Sequence, residues 1–291
     1  MKLVIAATPK VAIPAIEELK RKHQISIVTQ PDRPAGRGKA LTPTEISQKY
    51  PEALKPETDE ELASILKDCD LFITIGFGRL LPEEVLNIPR FGGINLHFSL
   101  LPKWRGAAPV QRAIEAGDKL TGVTVFQMDS GMDSGPIWEQ IEYPISYGMD
   151  SPKLFDALSE IGKDALQIAV TRIIKGESPR KQSGEITFAK KVLKSECVID
   201  WSNDAETIIR KIRAFGFNPG ITARIRNEQI KIEDARVSNV VLPTAQLNSN
   251  CEVGTGRGSI TLLRVTPAGK RSMTAQEWIN GFKPKDGECF D

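Results

Sequence analysis

The sequence has 291 residues, of which 40% are hydrophobic and 26% are charged, and its formal net charge is +2. This length allows one large domain or two, and the composition is that of a folded globular protein rather than a disordered or fibrous chain. The near-neutral charge does not by itself indicate a nucleic-acid-binding protein, and no apolar run approaches the roughly 20 residues that cross a bilayer.

The first half of the chain alternates between strand-like and helix-like segments. Short apolar runs predict strands at Leu3–Ala7, Ile25–Thr29, Asp70–Ile75, Gly92–His97 and Thr121–Gln127. Apolar residues at helical spacing predict helices at Val11–Lys22, Asp59–Lys67, Pro82–Leu86, Pro109–Ala116 and Pro152–Ile174. This alternation predicts an α/β fold with a Rossmann-like, doubly wound and mostly parallel sheet. Ligands of such sheets bind at the carboxyl ends of the strands.

The N-terminal residues and the cysteines narrow the class of protein. The first predicted strand begins almost at once, so we expect no targeting segment and a cytoplasmic location. The turn Ala6–Pro9 has no glycine, which argues against the glycine-rich turn of dinucleotide-binding folds. The four cysteines are scattered without a C-x-x-C pair, which argues against a disulfide framework and against a zinc site.

The composition changes after the long predicted helix. The segment 175–196 is rich in Lys, Ser, Gly and Glu and lacks strong periodicity, which indicates an interdomain linker. Beyond it we predict one helix at Ala205–Phe215 and strands at Ile221–Ile225, Gln229–Ile232, Val237–Leu242 and Ile260–Val265. Many short strands between turns predict a small OB-like β-barrel. The predicted domains are an N-terminal α/β domain at 1–175, a basic linker at 176–200 and a C-terminal β-barrel at 201–291.

Basic residues cluster locally despite the near-neutral total. Arg33, Arg37 and Lys39 lie in one Gly/Pro-rich loop, and a second group of lysines and arginines follows residue 175. Basic clusters are in many cases only solvated surface. A local positive patch on a near-neutral protein also suits a polyanionic partner that is released after binding.

The clearest candidate for chemistry is Asn95-Leu96-His97, which holds one of the two histidines of the chain. Alternation along the predicted strand places Asn95 and His97 on the same face, at the strand end. An amide can stabilise a developing negative charge on oxygen, and an imidazole can move a proton near neutral pH. The pair therefore suits acyl transfer, whereas an isolated Asn-x-His is also compatible with a buried structural histidine.

A second candidate is the loop Asp129–Pro136, directly after the predicted strand Thr121–Gln127. Its two acids, Asp129 and Asp133, stand between glycines, a pattern that is also typical of a plain turn. At a strand end such a loop is well placed to reach a neighbouring site. A carboxylate close to His97 would orient the ring and raise its proton affinity.

Blocks along nearly the whole chain carry a resemblance to the methionyl-tRNA formyltransferases, a branch of the folate-dependent formyltransferase family. The matching blocks are Gln30–Lys39 (QPDRPAGRGK), Gly76–Pro82 (GFGRLLP), Asn95–Gln111 (NLHFSLLPKWRGAAPVQ) and Thr121–Gly135 (TGVTVFQMDSGMDSG), with further similarity at Ile199–Ser202, Arg213–Phe215 and Pro267–Lys270. The central blocks are typical of folate-dependent formyltransferases in general. The first block and the C-terminal domain favour the members that modify tRNA.

The resemblance implies transfer of the formyl group of 10-formyltetrahydrofolate to the α-amino group of methionine carried by initiator tRNA, as translation initiation requires. It assigns catalysis to Asn95, His97 and Asp133. The amide and a protonated imidazole would stabilise the negative oxygen of the tetrahedral centre. The carboxylate would set the charge state of the imidazole and help to move the proton that the attacking amine loses.

The resemblance also implies two binding segments. Ser99, Leu100, Leu101 and Pro102 match the folate-binding segment, whose backbone groups and apolar side chains would hold the pterin. The loop residues Arg33, Arg37 and Lys39 match the part that contacts the acceptor end of tRNA, where an arginine can pair with phosphate or stack on an unpaired base. We further expect a monomer that binds no metal and no membrane.

Three positions depart from the usual pattern of the family. Ala7 replaces a glycine of the first turn, Phe98 replaces a residue that is often small, and no tryptophan follows Arg213–Phe215. The first two would reshape the wall of the site. The missing tryptophan would change which residues of the C-terminal domain contact the tRNA, but not the presence of that domain. Two alternatives remain at this point: a formyltransferase acting on a sugar-nucleotide amine or glycinamide ribonucleotide, and a non-catalytic RNA-binding protein on the same scaffold.

Overall fold

The computed structural model describes residues 1–35 and 40–291, with only the backbone of Ala35 and Ala40. Contacts within the chain divide it into two units. The first unit comprises Met1–Pro109, Leu120–Pro144 and Leu154–Ala189, and the second comprises Val110–Lys119, Ile145–Lys153 and Lys190–Asp291. Within the predicted linker 176–200, the first unit therefore extends to Ala189.

The helices and strands of the first 174 residues follow the predicted alternation, with four additional elements. The strands are β1 (Lys2–Ala7), β2 (Gln24–Val28), β3 (Arg33–Ala35), β4 (Ala40–Thr42), β5 (Leu71–Ile75), β6 (Gly93–His97), β7 (Leu120–Gln127) and β8 (Ile137–Pro144). The helices are α1 (Ile13–Lys20), α2 (Glu45–Lys49), α3 (Asp59–Leu66), α4 (Glu83–Leu86), α5 (Pro109–Ala116) and α6 (Ser151–Ile174). The elements absent from the prediction are β3, β4, α2 and β8. No helix in the described part of the chain is long and apolar enough to cross a membrane.

Six of these strands form one sheet in the order β2-β1-β5-β6-β7-β8. The first four strands in this order are parallel, and β7 and β8 each run antiparallel to their neighbour. The predicted mostly parallel sheet is confirmed. Because Gln127 is paired with Ile94, the end of β7 lies beside the start of β6 rather than beside its carboxyl end.

Helices cover both faces of this sheet. On one face, Phe72 packs in a cluster with Leu62 of α3 and Val85 of α4. On the other face, α6 approaches β6 so closely that a Cβ atom at Gly162 would lie 2.9 Å from Cδ2 of Leu96. Glycine therefore allows the helix to seat on the strand, and the predicted doubly wound arrangement is confirmed.

Beyond residue 204 the second unit contains a curled antiparallel sheet. Its strands are β9 (Ile221–Ile225), β10 (Glu228–Ser238), β11 (Glu252–Gly254), β12 (Ser259–Pro267) and β13 (Met273–Thr274), and its helices are α7 (Ala205–Phe215) and α8 (Ala275–Phe282). The order is β11-β12-β10-β9, with β13 paired to β12. The register shifts within β10 bend the strand, as barrels require. The predicted OB-like domain is thus observed as a half-barrel.

Alternating isoleucines explain the core of this half-barrel. Ile230 and Ile232 of β10 point inward and are fully buried, together with Ile208 and Ile212 of the amphipathic α7. Each such side chain contributes roughly 1.5–3 kcal/mol relative to an exposed position. The predicted strand at Val237–Leu242 is wrong after residue 238, because the following valines find no core and Val241 is 93% exposed.

Helix α5 belongs almost entirely to the second unit and is fixed there by one arginine. The Arg112 guanidinium donates hydrogen bonds to Glu115 at 2.7 Å and to Glu196 at 2.8 and 3.1 Å. It also lies over the Phe215 ring, 5.7 Å from the centroid. A hydrogen bond from the Leu193 backbone N–H, helped by this guanidinium, lowers the pKa of the Glu196 carboxyl. The helix that begins three residues after Gly106 is therefore well anchored.

Candidate active site

The carboxyl ends of the parallel strands meet at one edge of the sheet, and the loops that follow them are tied together there. The Thr8 hydroxyl, after β1, and the Gln30 amide, after β2, both donate to the Phe77 carbonyl after β5, at 3.2 and 3.1 Å. Gly76 has φ +57°, and a Cβ atom there would lie 2.9 Å from Cγ of Pro9. The same edge contains His97, the last residue of β6.

Asn95 lies on the face of the sheet that carries α3 and α4, since it pairs in register with Thr74. Its side chain is half-buried. No residue in the described part of the chain makes a hydrogen bond with its amide, whereas most buried amides in proteins are paired. The Asn95 amide is therefore a donor that remains available to a bound molecule.

His97 lies on the same face as Asn95 and is only 6% exposed. Its Nε2 atom is 2.8 Å from the carbonyl oxygen of Trp104. A carbonyl can only accept, so Nε2 carries a hydrogen and donates it. The edge of the Phe126 ring packs against the imidazole, with centroids 6.5 Å apart. The ring is thus fixed in one orientation, and Nδ1 is the nitrogen that can gain or lose a proton.

Asp133 faces that second nitrogen. Its Oδ2 atom is 3.7 Å from Nδ1 of His97, an ion-pair distance that is too long for a hydrogen bond. The same oxygen accepts a 2.7 Å hydrogen bond from the Gly106 backbone N–H. Asp133 itself has φ +48°, a left-handed conformation that aspartate adopts more readily than most residues. The other acid of the loop, Asp129, instead accepts from Gly131 and Ser134 within the turn.

The structure brings Asn95, His97 and Asp133 to one face, although the Asp133 loop does not leave the sheet at the edge that carries His97. The loop leaves β7 beside Ile94, at the end of β6 that is remote from His97, because β7 is antiparallel. It reaches the imidazole only by running back along the sheet between residues 128 and 136. The orientation of the ring is set by the Trp104 carbonyl, a backbone group that sequence reasoning missed.

Gly106 is the second group that sequence reasoning missed. It has φ +117°, and a Cβ atom there would lie 2.8 Å from the carbonyl oxygen of Ala189. Only glycine fits this position without a shift of the backbone. The sole signal in the sequence was the glycine in the Trp104-Arg105-Gly106 part of a matching block.

The predicted folate segment Ser99–Pro102 forms a closed turn. Thr124 donates to the Ser99 carbonyl at 2.6 Å and accepts from the Leu101 N–H at 3.1 Å. Gln140 donates to the Leu101 carbonyl at 3.0 Å. These backbone groups are already used, and Leu100 is the half-buried apolar side chain of the turn. The segment therefore offers a rigid apolar wall more than a set of free backbone groups.

Two of the unusual positions point away from the face of Asn95. Phe98 is buried and packs edge-on against Phe155 of α6, with ring centroids 5.9 Å apart. Ala7 is fully buried in β1. Phe98 thus fills the opposite side of the sheet.

Strands β3 and β4 pair as a hairpin at the same edge of the sheet as His97, and Arg33 of the predicted tRNA loop lies in β3. Arg33 is exposed and donates to Gln30 at 3.3 Å. It borders a polar cavity of about 450 Å³ that is also lined by Gln30, Pro31, Glu57, Gly78 and Arg79. The other two predicted residues, Arg37 and Lys39, lie outside the described residues.

The described residues contain no cluster of side chains suited to hold a metal ion. No group of three or more His, Cys, Asp or Glu side chains in residues 1–35 and 40–291 has the geometry to hold a metal ion. All four cysteines are described and unpaired, and only Cys289 is exposed.

Two protein families account for most of the chain. The family described as formyl transferase matches residues 1–170, and the family described as formyl transferase, C-terminal domain, matches residues 191–283. The chain is 36% identical to the methionyl-tRNA formyltransferase of Halorhodospira halophila (strain DSM 244 / SL1), with 99% of this chain and 98% of that protein covered.

Solved structures share the fold. Methionyl-tRNA formyltransferase from Clostridium thermocellum superposes with a TM-score of 0.62 at 22% identity, covering 84% of this chain and 96% of that one. HypX from Aquifex aeolicus in complex with tetrahydrofolic acid superposes with a TM-score of 0.70 at 16% identity, covering 96% of this chain and 47% of that one. The chain thus spans about half the length of HypX, and both likenesses concern the fold alone.

Proposed function

This chain belongs to the formyl transferase family, and we propose that it transfers the formyl group of 10-formyltetrahydrofolate to the α-amino group of methionyl initiator tRNA. The products are N-formylmethionyl-tRNA and tetrahydrofolate. In the reaction a new bond forms between the amine nitrogen and the formyl carbon. The bond between that carbon and the folate nitrogen breaks. The amine loses one proton and the leaving folate nitrogen gains one, so the reaction consumes and releases no net proton.

The observation that carries the proposal is the amide of Asn95 on the face of His97, which has no hydrogen-bond partner among the described residues. A donor that is half-buried and free suits the formyl oxygen, which gains negative charge as the amine attacks. Because Asn95 sits within strand β6, its backbone is in place before the substrates bind. One such donor accounts for about a hundredfold to a thousandfold of rate in other acyl-transfer sites.

His97 and Asp133 handle charge and protons on the same face. The Trp104 carbonyl holds Nε2–H, so Nδ1 takes part in proton movement and faces the Asp133 carboxylate at 3.7 Å. When Nδ1 is protonated, the two groups attract each other at ion-pair distance. Asp133 is the counter-ion of a charged ring beside the developing oxyanion, and it is placed to accept the proton of the amine through water.

We assign the folate to Ser99, Leu100, Leu101 and Pro102, with Leu100 as the main apolar contact for the pterin. The buried hydrogen bonds of this turn keep its wall in one position.

We assign the acceptor end of the tRNA to the β3–β4 hairpin, through Arg33, Arg37 and Lys39. Arg33 is exposed at the edge of the sheet that also carries His97, so a strand of RNA bound there leads toward the site. The protein acts as a monomer in the cytoplasm, where aminoacylated tRNA is formed and used. The C-terminal half-barrel adds phosphate contacts through its basic residues.

The direct test is incubation with 10-formyltetrahydrofolate and one of two acceptors. Methionyl initiator tRNA is offered in one reaction and an amino-sugar nucleotide in the other, with unacylated tRNA as the control. We expect acid-stable formylmethionine in the first reaction only. Formylation of the sugar nucleotide and not of the aminoacyl-tRNA would overturn the proposed acceptor. Binding of tRNA without any formyl transfer would leave only an RNA-binding protein.

A further inference from the structure

A side chain from outside the two loops that surround His97 binds both of them. Gln182 lies after α6, in the segment 180–189, and its carboxamide is half-buried. We propose that Gln182 is a positioning residue for formyl transfer, which holds the loop of Asp133 and the loop of Trp104–Gly106 in the arrangement that sets both ring nitrogens of His97. This inference rests on the proposed function of the same site.

The carboxamide of Gln182 uses all of its hydrogen-bonding capacity. Its Nε2 atom donates to the carbonyl oxygens of Asp133 and Gly135, each at 2.8 Å. Its Oε1 atom accepts from Nε and Nη2 of Arg105, at 3.2 and 2.7 Å. An amide has two hydrogens to donate and two lone pairs to accept, so no further bond is possible. A side chain bound in this way has one orientation, and it transmits that orientation to both loops.

Each of the two loops controls one nitrogen of His97. The loop next to Arg105 supplies the Trp104 carbonyl to Nε2 and the Gly106 N–H to the carboxylate of Asp133. The other loop supplies that carboxylate to Nδ1. Asp133 has a positive φ angle, which costs a non-glycine residue conformational energy, whereas Gly106 adopts its positive φ freely. The Gln182 amide donates to the carbonyl of Asp133 itself, so it stabilises the backbone at the residue with the unfavourable φ angle.

The segment that carries Gln182 is fixed on both sides of it. Arg180 and Ile137 exchange two backbone hydrogen bonds of 2.7 and 2.9 Å at the start of β8. Further along, Thr187 accepts from the Trp104 N–H through its hydroxyl and from the Arg105 N–H through its carbonyl, both at 2.9 Å. Gln182 is thus held by main-chain pairing before and after it, which lets it brace the loops without moving itself.

The variant Gln182→Glu tests the two hydrogen bonds that the Gln182 amide donates to the carbonyls of Asp133 and Gly135. Gln182→Glu keeps an oxygen for Arg105 and the same shape, but it places a second oxygen against the carbonyls of Asp133 and Gly135. Two lost donors and a repulsive contact shift the Asp133 loop. Gln182→Met is the second variant. It keeps the length of the side chain and adds no charge, and it removes both the donated and the accepted hydrogen bonds. Gln48→Glu is the matched control, because the exposed Gln48 amide also donates to one carbonyl, that of Pro43 at 3.3 Å.

The measurement is steady-state kinetics of formyl transfer, with melting temperature as a check on folding. We expect kcat to fall about tenfold to a hundredfold in Gln182→Glu and Gln182→Met, while KM for 10-formyltetrahydrofolate and for methionyl initiator tRNA changes less than about twofold. Gln48→Glu should behave as the wild type. A wild-type kcat in both Gln182 variants would overturn the proposal, as would equal changes in both KM values with kcat unchanged.

A readout that needs no turnover separates this inference from the proposed function. The chain has two histidines, so ring signals of His97 can be assigned in nuclear magnetic resonance spectra with a His23→Gln variant. We expect Gln182→Glu to move the ring-nitrogen signals of His97 and to leave those of His23 in place. Unmoved His97 signals would overturn the inference whatever the reaction. Absent formyl transfer in the wild type, with shifted His97 signals in the variant, would instead count against the proposed function alone.

Discussion

The two sides of His97 are built in opposite ways. On the strand side, Asn95 sits in β6 with an amide that has no partner among the described residues. On the loop side, the Trp104 carbonyl, the Gly106 N–H and the Asp133 carboxylate are all engaged with the protein. The comparison indicates that the Asn95 amide serves the substrates, whereas the three groups on the loop side hold the imidazole of His97 in its orientation. A substitution on the strand side should therefore lower activity alone, whereas one that breaks the contacts on the loop side should lower both activity and stability.

The largest effect is expected on the strand side. Asn95→Ala should lower kcat about a hundredfold to a thousandfold, because it removes the donor to the developing oxyanion. The free energy of unfolding should change little, since the amide makes no hydrogen bond within the described residues. Turnover assays at saturating substrates, with urea unfolding alongside, check both statements. A fall in stability that matches the fall in activity would break the comparison.

A smaller loss of activity, now accompanied by a loss of stability, is expected on the loop side. Gly106→Ala forces a left-handed conformation on alanine and a clash with the Ala189 carbonyl, which costs roughly 1–3 kcal/mol of unfolding free energy. We expect kcat to fall about tenfold as the N–H leaves Asp133. The matched control is Gly176→Ala, with φ +72° and open space around the site of the Cβ atom. It should lose stability and keep full turnover.

The hairpin beside the site should affect one substrate only. Arg33→Ala is expected to raise KM for tRNA about threefold to tenfold and to reduce the salt dependence of that KM, because a phosphate contact is lost. KM for the folate should stay constant. Arg21→Ala is the control, since Arg21 pairs with Glu18 and lies before β2, at the opposite edge of the sheet. Equal changes in both KM values would mean that the hairpin supports the fold of the site.

The smallest effect is expected in the reactivity of Cys69, a buried thiol in the core cluster on the Asn95 face of the sheet. Burial raises the pKa of the Cys69 thiol to about 11, so at pH 8 only about one molecule in a thousand carries the reactive thiolate. In the native protein a thiol reagent should modify the exposed Cys289 rapidly and Cys69 very slowly. The same slow rate in Asn95→Ala would show that the core stays closed. Rapid labelling of Cys69 in that variant would attribute its lost activity to opening of the fold.

Regular elements could be predicted from the sequence because their apolar patterns are strong. Helices α5 and α7 and strand β9 begin and end where periodicity and the proline at 109 predict. Strand β8 was missed because glutamates interrupt its alternation on an edge strand, and α8 was missed within a segment without a predicted element. The direction of β7 could not be predicted, since alternation predicts a strand and not its orientation.

Only the side chains of the site could be predicted from the sequence, and its backbone groups could not. Asn95 and His97 followed from alternation within one strand. Asp133 was one of two acids in a candidate loop after a predicted strand, and the family resemblance selected it. The Trp104 carbonyl and the Gly106 N–H are backbone groups, which leave no side-chain pattern. The partners of Gln182 are 47 to 77 positions away in the chain and lie on loops without periodicity. Such long-range hydrogen bonds between irregular segments are visible only once the fold is known.

The central claim is that the carboxylate of Asp133, held by Gly106 beside Nδ1 of His97, takes part in formyl transfer. The most direct measurement is the single-turnover rate of Asp133→Asn with enzyme-bound 10-formyltetrahydrofolate and methionyl initiator tRNA. Asparagine keeps the shape and the oxygen that Gly106 binds, and it removes the charge. The account predicts a rate about a hundredfold or more below the wild type at an unchanged melting temperature. A near-wild-type rate would contradict it.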